Sequence, residues 1–173
     1  MNNIISQGIL IALLASLSFA AEAVNAVHGT ISKIDSGAKT IVVKTGDGTE
    51  HVFRFVAKTT VHGTEVGAKD TFHGLKEGSE VVAHYTAKGA ENTAVEVDRV
   101  GKDGLKTMDG TVSDIDRGGK KLVVKSADGT EQAFQMADHA AEETGKGAEK
   151  AAKVTVYYTE DAGKKIVHFF QKH

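Results

Sequence analysis

The sequence contains no cysteine, and this absence excludes several kinds of chemistry at once. Disulfide bonds, thiolate metal sites, thiol catalysis and a lipid anchor on cysteine all require that residue. Proline is also absent, whereas glycine occurs 19 times. The turns must therefore be built from Gly, Asp and Asn rather than from the fixed φ angle of proline.

Tryptophan is missing as well, and aromatic residues make up only 6% of the 173 residues. We therefore expect cores of Val, Ile, Ala and a few Phe. The 21 basic and 23 acidic residues give a net charge of −2, so the chain lacks the strongly basic surface that binds phosphate backbones. It also lacks G-x-S-x-G, Walker A and dinucleotide-binding motifs. These absences predict that the protein is not an enzyme, holds no cofactor and has no nucleic-acid partner.

The N-terminus has one apolar run, Ile9 to Leu17, followed by small-residue sites of the A-x-A type. This order is typical of a secretory signal peptide, although the first residues carry no Lys or Arg. We expect residues 1–26 to be the signal peptide, with cleavage after Ala20, Ala23 or Ala26. An uncleaved anchor is the alternative, but the run is shorter than the roughly 20 residues that span a bilayer. The mature protein is thus predicted to be periplasmic or secreted, without a membrane span.

The rest of the chain contains an internal repeat. Residues 29–53 and 110–134 are identical at 15 of 25 positions at a constant offset of 81. Residues 80–86 resemble residues 153–159 at an offset of 73, so the second copy is eight residues shorter in its middle. Such repetition indicates duplication of one folding unit. The expected domains are copy one at 27–100, a Gly-containing linker with limited hinge freedom at 101–107, and copy two at 108–171.

Each copy has the hydrophobic period of β-strands. Val27, Gly29 and Ile31 alternate with polar residues, which is the period of a half-buried strand. Asp47 and Asp128, each followed by Gly, predict hairpin turns. The acidic residues that recur in both copies are explained as turn formers and strand starts rather than as acid–base pairs: Asp35 with Asp116, Asp47 with Asp128, and Glu50 with Glu131.

The last two strands of each copy are expected at residues 80–87 and 93–100, and again at 153–159 and 164–170. Between strands three and four of copy two lies a segment rich in Ala, Glu and Lys, with Asp138 as its N-cap. This composition predicts a short, partly helical excursion. The fold class is therefore mainly all-β, as two tandem five-stranded OB-like barrels.

Several short segments of copy one form a pattern: Gly29-Thr30-Ile31, Ile34-Asp35, residues 40–43, Thr60-Val61-His62-Gly63, Leu75-Lys76-Glu77-Gly78 before Val81-Val82, and Ala94-Val95-Glu96-Val97. The pattern resembles a family of exported bacterial OB-like domains of unknown function. Copy two keeps the first part and loses the Leu-Lys-Glu-Gly element. The resemblance implies an OB-like fold, and it implies no established activity.

A more distant similarity in plan is to the periplasmic copper and silver chaperone of the Cus efflux system, also a small OB barrel. That resemblance implies a metal site of one His, two Met and one Trp. The present chain has no Trp and, beyond the initiator, only Met108 and Met136. The chaperone's ligand set is therefore not carried over.

Eight histidines are an enrichment in a chain of this size, and imidazole is the commonest transition-metal ligand. The weak candidates are His28, His62, His73 and His84. If strands one and four are neighbours, His28 and His84 point outward and approach each other. His62 and His73 lie in the corresponding excursion of copy one, between its third and fourth strands. Against a site, no pair has tight ligand spacing, and copy two does not retain these positions. The favoured interpretation is solvated histidines and no metal site.

The sequence therefore predicts a non-catalytic exported binding or structural module. Its partner is an unidentified protein, glycan or envelope component. The alternative is a periplasmic protein that binds or buffers a transition metal through the histidines of copy one. Titration with Cu(II), Ni(II) and Zn(II) separates these two hypotheses.

Overall fold

The computed structural model describes residues 24–64, 67–142 and 147–173, and within these residues it is built from strands without a helix. Most of the expected signal peptide, including Ala20 and Ala23, lies outside the described residues. Ala26 lies inside them, as the second residue of the first strand, and it is fully buried. In the described part of the chain, no helix is long and apolar enough to cross a membrane.

The first half of the chain forms a six-stranded unit, here named the N-terminal sheet. Its strands are β1 (Asn25–Asp35), β2 (Thr40–Lys44), β3 (Glu50–Arg54), β4 (Thr60–His62), β5 (Glu80–Lys88) and β6 (Glu91–Arg99). The order is β3-β2-β1-β5-β6-β4, and β3 also pairs with β6. That extra pairing joins the ends of the five-strand run, while β4 lies parallel to β6 further along the same edge.

The second half forms a closed five-stranded barrel, here named the C-terminal barrel. Its strands are β7 (Lys106–Asp116), β8 (Lys121–Lys125), β9 (Glu131–Glu142), β10 (Lys153–Asp161) and β11 (Lys164–Lys172). Each strand pairs with the next in the order β7-β8-β9-β11-β10, and β10 pairs with β7 to close the barrel. Counted within the barrel, these are its first, second, third, fifth and fourth strands. This is the strand order of an OB-type barrel. The expected pairing of strand one with strand four is confirmed in both halves.

Local irregularities of the backbone recur in the two halves. A bulge in β1 leaves Ser32 unpaired, and a bulge in β7 leaves Ser113 unpaired, 81 positions later. A second bulge leaves Val95 of β6 unpaired, and its counterpart in β11 is His168, 73 positions later. Bulges bend a strand and re-aim the side chains beside them. The same two offsets therefore relate both the sequences and the strand irregularities of the two halves.

Each half has an apolar core of its own. The N-terminal core consists of Val27, Ile31, Ile41, Val43, Phe53, Phe55, Phe72, Leu75, Val81, Ala83, Tyr85, Ala94 and Val97. The C-terminal core consists of Val112, Leu122, Val124, Phe134, Ala148, Val154, Val156, Val167 and Phe170. Because no residue belongs to both clusters, the two halves bury separate interiors.

A third, smaller cluster, here named the seam, joins the two halves. Its buried members are Ala26, Val82, Leu105, Tyr157 and Phe169. Leu105 lies in the turn before β7, and the other four lie on outward faces of strands, because the side chains of a strand alternate between its two faces and the neighbouring residues fill the two cores. The outward face of β1 and β5 thus packs against the outward face of β10 and β11.

The helical excursion predicted in copy two is wrong for the residues that the structure describes. Asp138, the expected N-cap, lies inside β9. Strand β9 continues because its far end pairs in parallel with β11, where Ala141 is opposite Phe169. Tertiary pairing thus overrides the intrinsic helix preference of Ala and Glu.

Residues 101–107, expected to be a linker with limited hinge freedom, contain a hydrogen-bonded turn and the first residues of β7. Gly101 N donates to Leu105 O at 2.8 Å, and Leu105 N donates to Arg99 O at 2.8 Å. Leu105 is buried in the seam, and β7 already begins at Lys106. These contacts tie the connection between the halves to the packing of the seam.

The segment between β3 and β5 contains β4 and a tight turn. Both carboxylate oxygens of Asp70 accept backbone hydrogen bonds, from Phe72 N at 2.9 Å and from Gly74 N at 3.0 Å. The turn directs Phe72 against Phe55, with ring centroids 5.0 Å apart. Strand β4, which carries His62, is held by its pairing with β6 and by Val61, which packs against the N-terminal core.

Candidate metal site

The pairing of β4, β5 and β6 places four polar residues side by side. His84 of β5 is opposite Glu96 of β6, and His62 of β4 is opposite Asp98 of β6. Glu96 and Asp98 are two positions apart on one strand, so they share a face, while Val97 between them enters the core. This face is the one that meets the C-terminal barrel.

The shortest contact in the group joins His62 and Asp98. His62 Nδ1 donates to Asp98 Oδ1 at 2.9 Å, and the same nitrogen lies 3.6 Å from Glu96 Oε1. The three ligand-type atoms of His62, Glu96 and Asp98 lie within 4.8 Å of one another. The His62 side chain is 57% exposed and the Asp98 side chain is 2% exposed. The group therefore begins at the protein surface and extends inward.

The C-terminal barrel adds a second imidazole to the same carboxylates. His168, the bulge residue of β11, has its Nδ1 3.5 Å from Glu96 Oε1 and 3.7 Å from Asp98 Oδ2. Its other ring nitrogen, Nε2, lies 3.0 Å from the hydroxyl oxygen of Thr159. The group thus combines residues from both halves of the chain, across the seam. We name it the interbarrel cluster: His62, His84, Glu96, Asp98 and His168.

The buried side of the cluster contains polar atoms without hydrogen bonds. His84 is fully buried, and its Nε2 lies 3.6 Å from Asp98 Oδ2. Both ring nitrogens of His84 and the Oδ2 atom of Asp98 lack a hydrogen-bond partner. Buried polar groups are almost always hydrogen-bonded, because leaving them unpaired costs about 1–3 kcal/mol each. Two of these atoms, His84 Nε2 and Asp98 Oδ2, face each other at 3.6 Å, so the buried side of the cluster offers unpaired nitrogen and oxygen atoms to a further polar group or ion.

Imidazoles are the basic groups beside the carboxylates of the cluster. Among the described residues, the basic groups within 4 Å of Glu96 or Asp98 are His62, His84 and His168. Hydrogen bonding to His168 lowers the pKa of Glu96 to about 2, although burial opposes this shift. Glu96 is therefore an anion at neutral pH, and the imidazoles or a bound cation must offset its charge.

The spacing of the cluster fits a coordinated ion. In a tetrahedral site with bonds of about 2.1 Å, ligand atoms are separated by about 3.4 Å. The contacts of 3.5–3.7 Å from Glu96 and Asp98 to three imidazoles are close to this value, and they are longer than the usual length of a hydrogen bond, about 2.7–3.2 Å. The ligand-type atoms of His62, Glu96 and Asp98 all lie within 4.8 Å of one another, so small shifts would bring these three into coordination distance of one ion.

A cavity of about 120 Å³ adjoins the cluster. His62, Asp98, Thr159 and His168 line it, together with the turn at Gly104. The cavity gives the cluster a path to solvent between the two halves.

The histidines singled out from the sequence have different surroundings. The structure brings His62 and His84 together at Asp98, but the expectation that His84 is solvated is wrong, because the C-terminal barrel covers it. His28 shares the outward face with His84, yet it donates to Glu80 at 2.7 Å and packs on Tyr157. His73 is exposed, in a turn with a φ of 51°.

Sequence reasoning missed Glu96, Asp98 and His168. The available signal was the Glu-x-Asp pair on strand β6, which places two carboxylates on one face. Acidic residues on an outward strand face are ordinary, so this signal becomes specific only when the partner barrel is seen to cover them. The role of His168 depends wholly on how the halves pack.

Comparisons with known proteins add no family assignment. No family model matches the chain, and no curated protein matches it. The resemblance to an exported OB-like family thus stays a prediction.

Among solved structures, Ag(I)-bound CusF is 13% identical over 40% of this chain and 97% of its own, with a TM-score of 0.35. A CusF–Ag(I) structure from Escherichia coli gives the same identity and score over 91% of its length. The Drosophila Unr fragment CSD456 is 11% identical over 88% of this chain and 62% of its own, with a TM-score of 0.37. All these scores are below 0.5, so we draw no functional conclusion from them.

Proposed function

We propose that the protein binds a divalent transition-metal ion at the interbarrel cluster. The observation that carries the proposal is the buried, incomplete polar group in which His84 and Asp98 Oδ2 lack hydrogen-bond partners beside two further imidazoles. His62, Glu96, Asp98 and His168 supply the ligand atoms, and His84 offers a fifth from the buried side. The proposal develops the metal-binding alternative predicted from the sequence. The proposed site takes at least one ligand from each half of the chain.

A dication offsets the charge of the two carboxylates better than protonated imidazoles do. Moving an ionised carboxylate out of water costs several kcal/mol unless it is paired and hydrogen-bonded. Asp98 is 1% exposed and Glu96 is an anion at neutral pH. A metal ion between them would accept electron pairs from atoms that are now unpaired, Asp98 Oδ2 and a ring nitrogen of His84, and it would replace the proton by which His62 Nδ1 now binds Asp98 Oδ1.

The donor set favours metals of intermediate softness. Imidazole and carboxylate together suit Zn(II), Ni(II) and Cu(II), whereas thioether and thiolate sulfur select Cu(I). Met108 and Met136 pack against the C-terminal core, away from the cluster. We therefore expect Zn(II), Ni(II) or Cu(II) rather than Cu(I) or Ag(I).

Calorimetric titration of the mature protein with zinc chloride tests the proposal, followed by nickel and copper(II) salts. We expect one saturable site per chain with micromolar or tighter affinity. The double substitution His62→Ala with Glu96→Gln should weaken zinc binding by at least about tenfold, since it removes two ligands. The His62 side chain is 57% exposed, and Gln keeps the shape of the Glu96 side chain, which is 14% exposed, so the fold should survive, which circular dichroism would verify.

The matched control is His73→Ala, which removes an exposed histidine of the same half outside the cluster. It should leave zinc affinity unchanged. Absence of saturable binding to the wild-type protein, or equal loss in both variants, would reject the site.

We further infer a non-catalytic, exported binding or buffering role. The sequence supports export, and the proposed site is described by binding alone; that the protein is not an enzyme stays a prediction. The two halves are proposed to be copies of one unit, supported by the recurrence of bulges and turns at the sequence offsets. A protein, glycan or envelope partner remains the alternative to a metal ligand. A pull-down from envelope extract addresses that alternative.

A further inference from the structure

His168 owes its position to the bulge of β11. Tyr157 is opposite Phe169 and Tyr158 is opposite Val167, so His168 is the extra residue between two paired positions. Phe169 enters the seam, and the bulge lets His168 face the same side of the barrel. Its side chain is 16% exposed. The equivalent bulge residue of the N-terminal sheet is Val95, so the imidazole is specific to the second half.

The ring of His168 is held from two sides. Nε2 lies 3.0 Å from Thr159 Oγ1, on the neighbouring strand β10. Nδ1 lies 3.5 Å from Glu96 Oε1, on the other half of the protein. Thr159 and His168 both line the cavity beside the cluster. The hydroxyl is therefore the contact that determines which ring nitrogen faces the carboxylates.

We propose that Thr159 is a positioning residue of the interbarrel metal site, and this inference rests on the proposed function. A coordinated Nδ1 carries no proton, so the proton of neutral His168 is on Nε2. Thr159 Oγ1 is placed to accept that Nε2–H. Such outer partners fix the tautomer and orientation of a ligating histidine, and their loss costs about 10–100-fold in metal affinity.

Zinc titration of Thr159→Val tests the inference, because valine keeps the shape of threonine and removes the hydroxyl. We expect zinc affinity about 10–100-fold below wild type. Thr159→Ser, which restores a hydroxyl, should recover most of it. The control is Thr155→Val on the same strand, where the hydroxyl contacts Asp109 and His173 instead. That variant should bind zinc as the wild type does.

Nitrogen-15 NMR of the histidine rings in the zinc-loaded protein reports which ring nitrogen is coordinated and which is protonated. General destabilisation of the protein would not change this assignment. In the wild type and in Thr159→Ser, His168 should be coordinated through Nδ1 with the proton on Nε2. Coordination through Nε2, or wild-type affinity in Thr159→Val, overturns the inference while leaving the metal site in place. Failure of the wild type to bind zinc overturns both the inference and the proposed function.

Discussion

The adjacent residues Phe169 and Phe170 allow the seam to be separated from the barrel core in one experiment. Both are buried, but they lie on opposite faces of β11. Phe169 belongs to the seam and stacks near Tyr157, with ring centroids 5.5 Å apart. Phe170 belongs to the C-terminal core. Substitution of either by Ala removes the same ring from an equally closed environment.

Replacement of a buried Phe by Ala costs about 3–5 kcal/mol. In a cooperative unit of about 150 residues, 1 kcal/mol lowers Tm by about 2–4 °C, so either change should lower Tm by roughly 6–20 °C. The two variants should differ in cooperativity. Phe170→Ala damages the core of the barrel itself, whereas Phe169→Ala loosens the contact between the halves.

Differential scanning calorimetry of the metal-free protein distinguishes the two effects. We expect one transition for the wild type, with the calorimetric enthalpy equal to the van't Hoff enthalpy. Phe169→Ala should show two transitions, since the sheet and the barrel would unfold separately. A single transition in Phe169→Ala, with Tm within a few degrees of wild type, would refute the coupling assigned to the seam.

Three further predictions concern single features of the chain. Cleavage of the proposed signal peptide should leave a start after Ala20 or Ala23 by mass spectrometry, because cleavage after Ala26 would remove a buried residue of the seam from β1; an N-terminus at Val27 contradicts this. Hydrogen bonds from Thr45 and Thr49 lower the pKa of Asp47 to about 2, so its stabilising effect is complete above its ordinary pKa of 3.8 and is lost as pH falls through 2; NMR titration of the carboxyl carbon checks this, and Thr45→Val should raise the pKa. Gly110→Ala should destabilise the C-terminal barrel, because a Cβ at this position would lie 2.6 Å from Lys125 O. Gly118→Ala should not, because the nearest atom to a Cβ there is 3.5 Å away. Chemical denaturation compares the two variants, and equal free energies of unfolding would contradict the close approach at Gly110.

Local features of the fold could be predicted because the relevant physics is local. The alternation at Val27 and Ile31 requires only the period of a strand, and both residues are buried as expected. The Asp128 turn requires only a short side chain that accepts the amide of Thr130, at 2.8 Å, and a Gly that adopts positive φ. The conformation of these elements is determined by a few neighbouring residues.

Features that depend on distant pairing could not be predicted in the same way. The residues after Asp138 have helix-forming composition, but pairing with β11 makes them a strand as far as Glu142. His84 has the pattern of an exposed strand residue, and the second half of the chain covers it. The contact of His168 with Asp98 joins residues that only the packing of two halves brings together.

The most direct test is an anomalous difference map from crystals of the protein grown with one equivalent of zinc, recorded at the zinc absorption edge. We expect one strong peak, within about 2.2 Å of nitrogen or oxygen atoms of His62, Glu96, Asp98 and His168. A peak at another histidine, such as His51 or His173, would contradict the account. A map without any peak would also contradict the account, provided that the two halves pack against each other in the crystal as they do here.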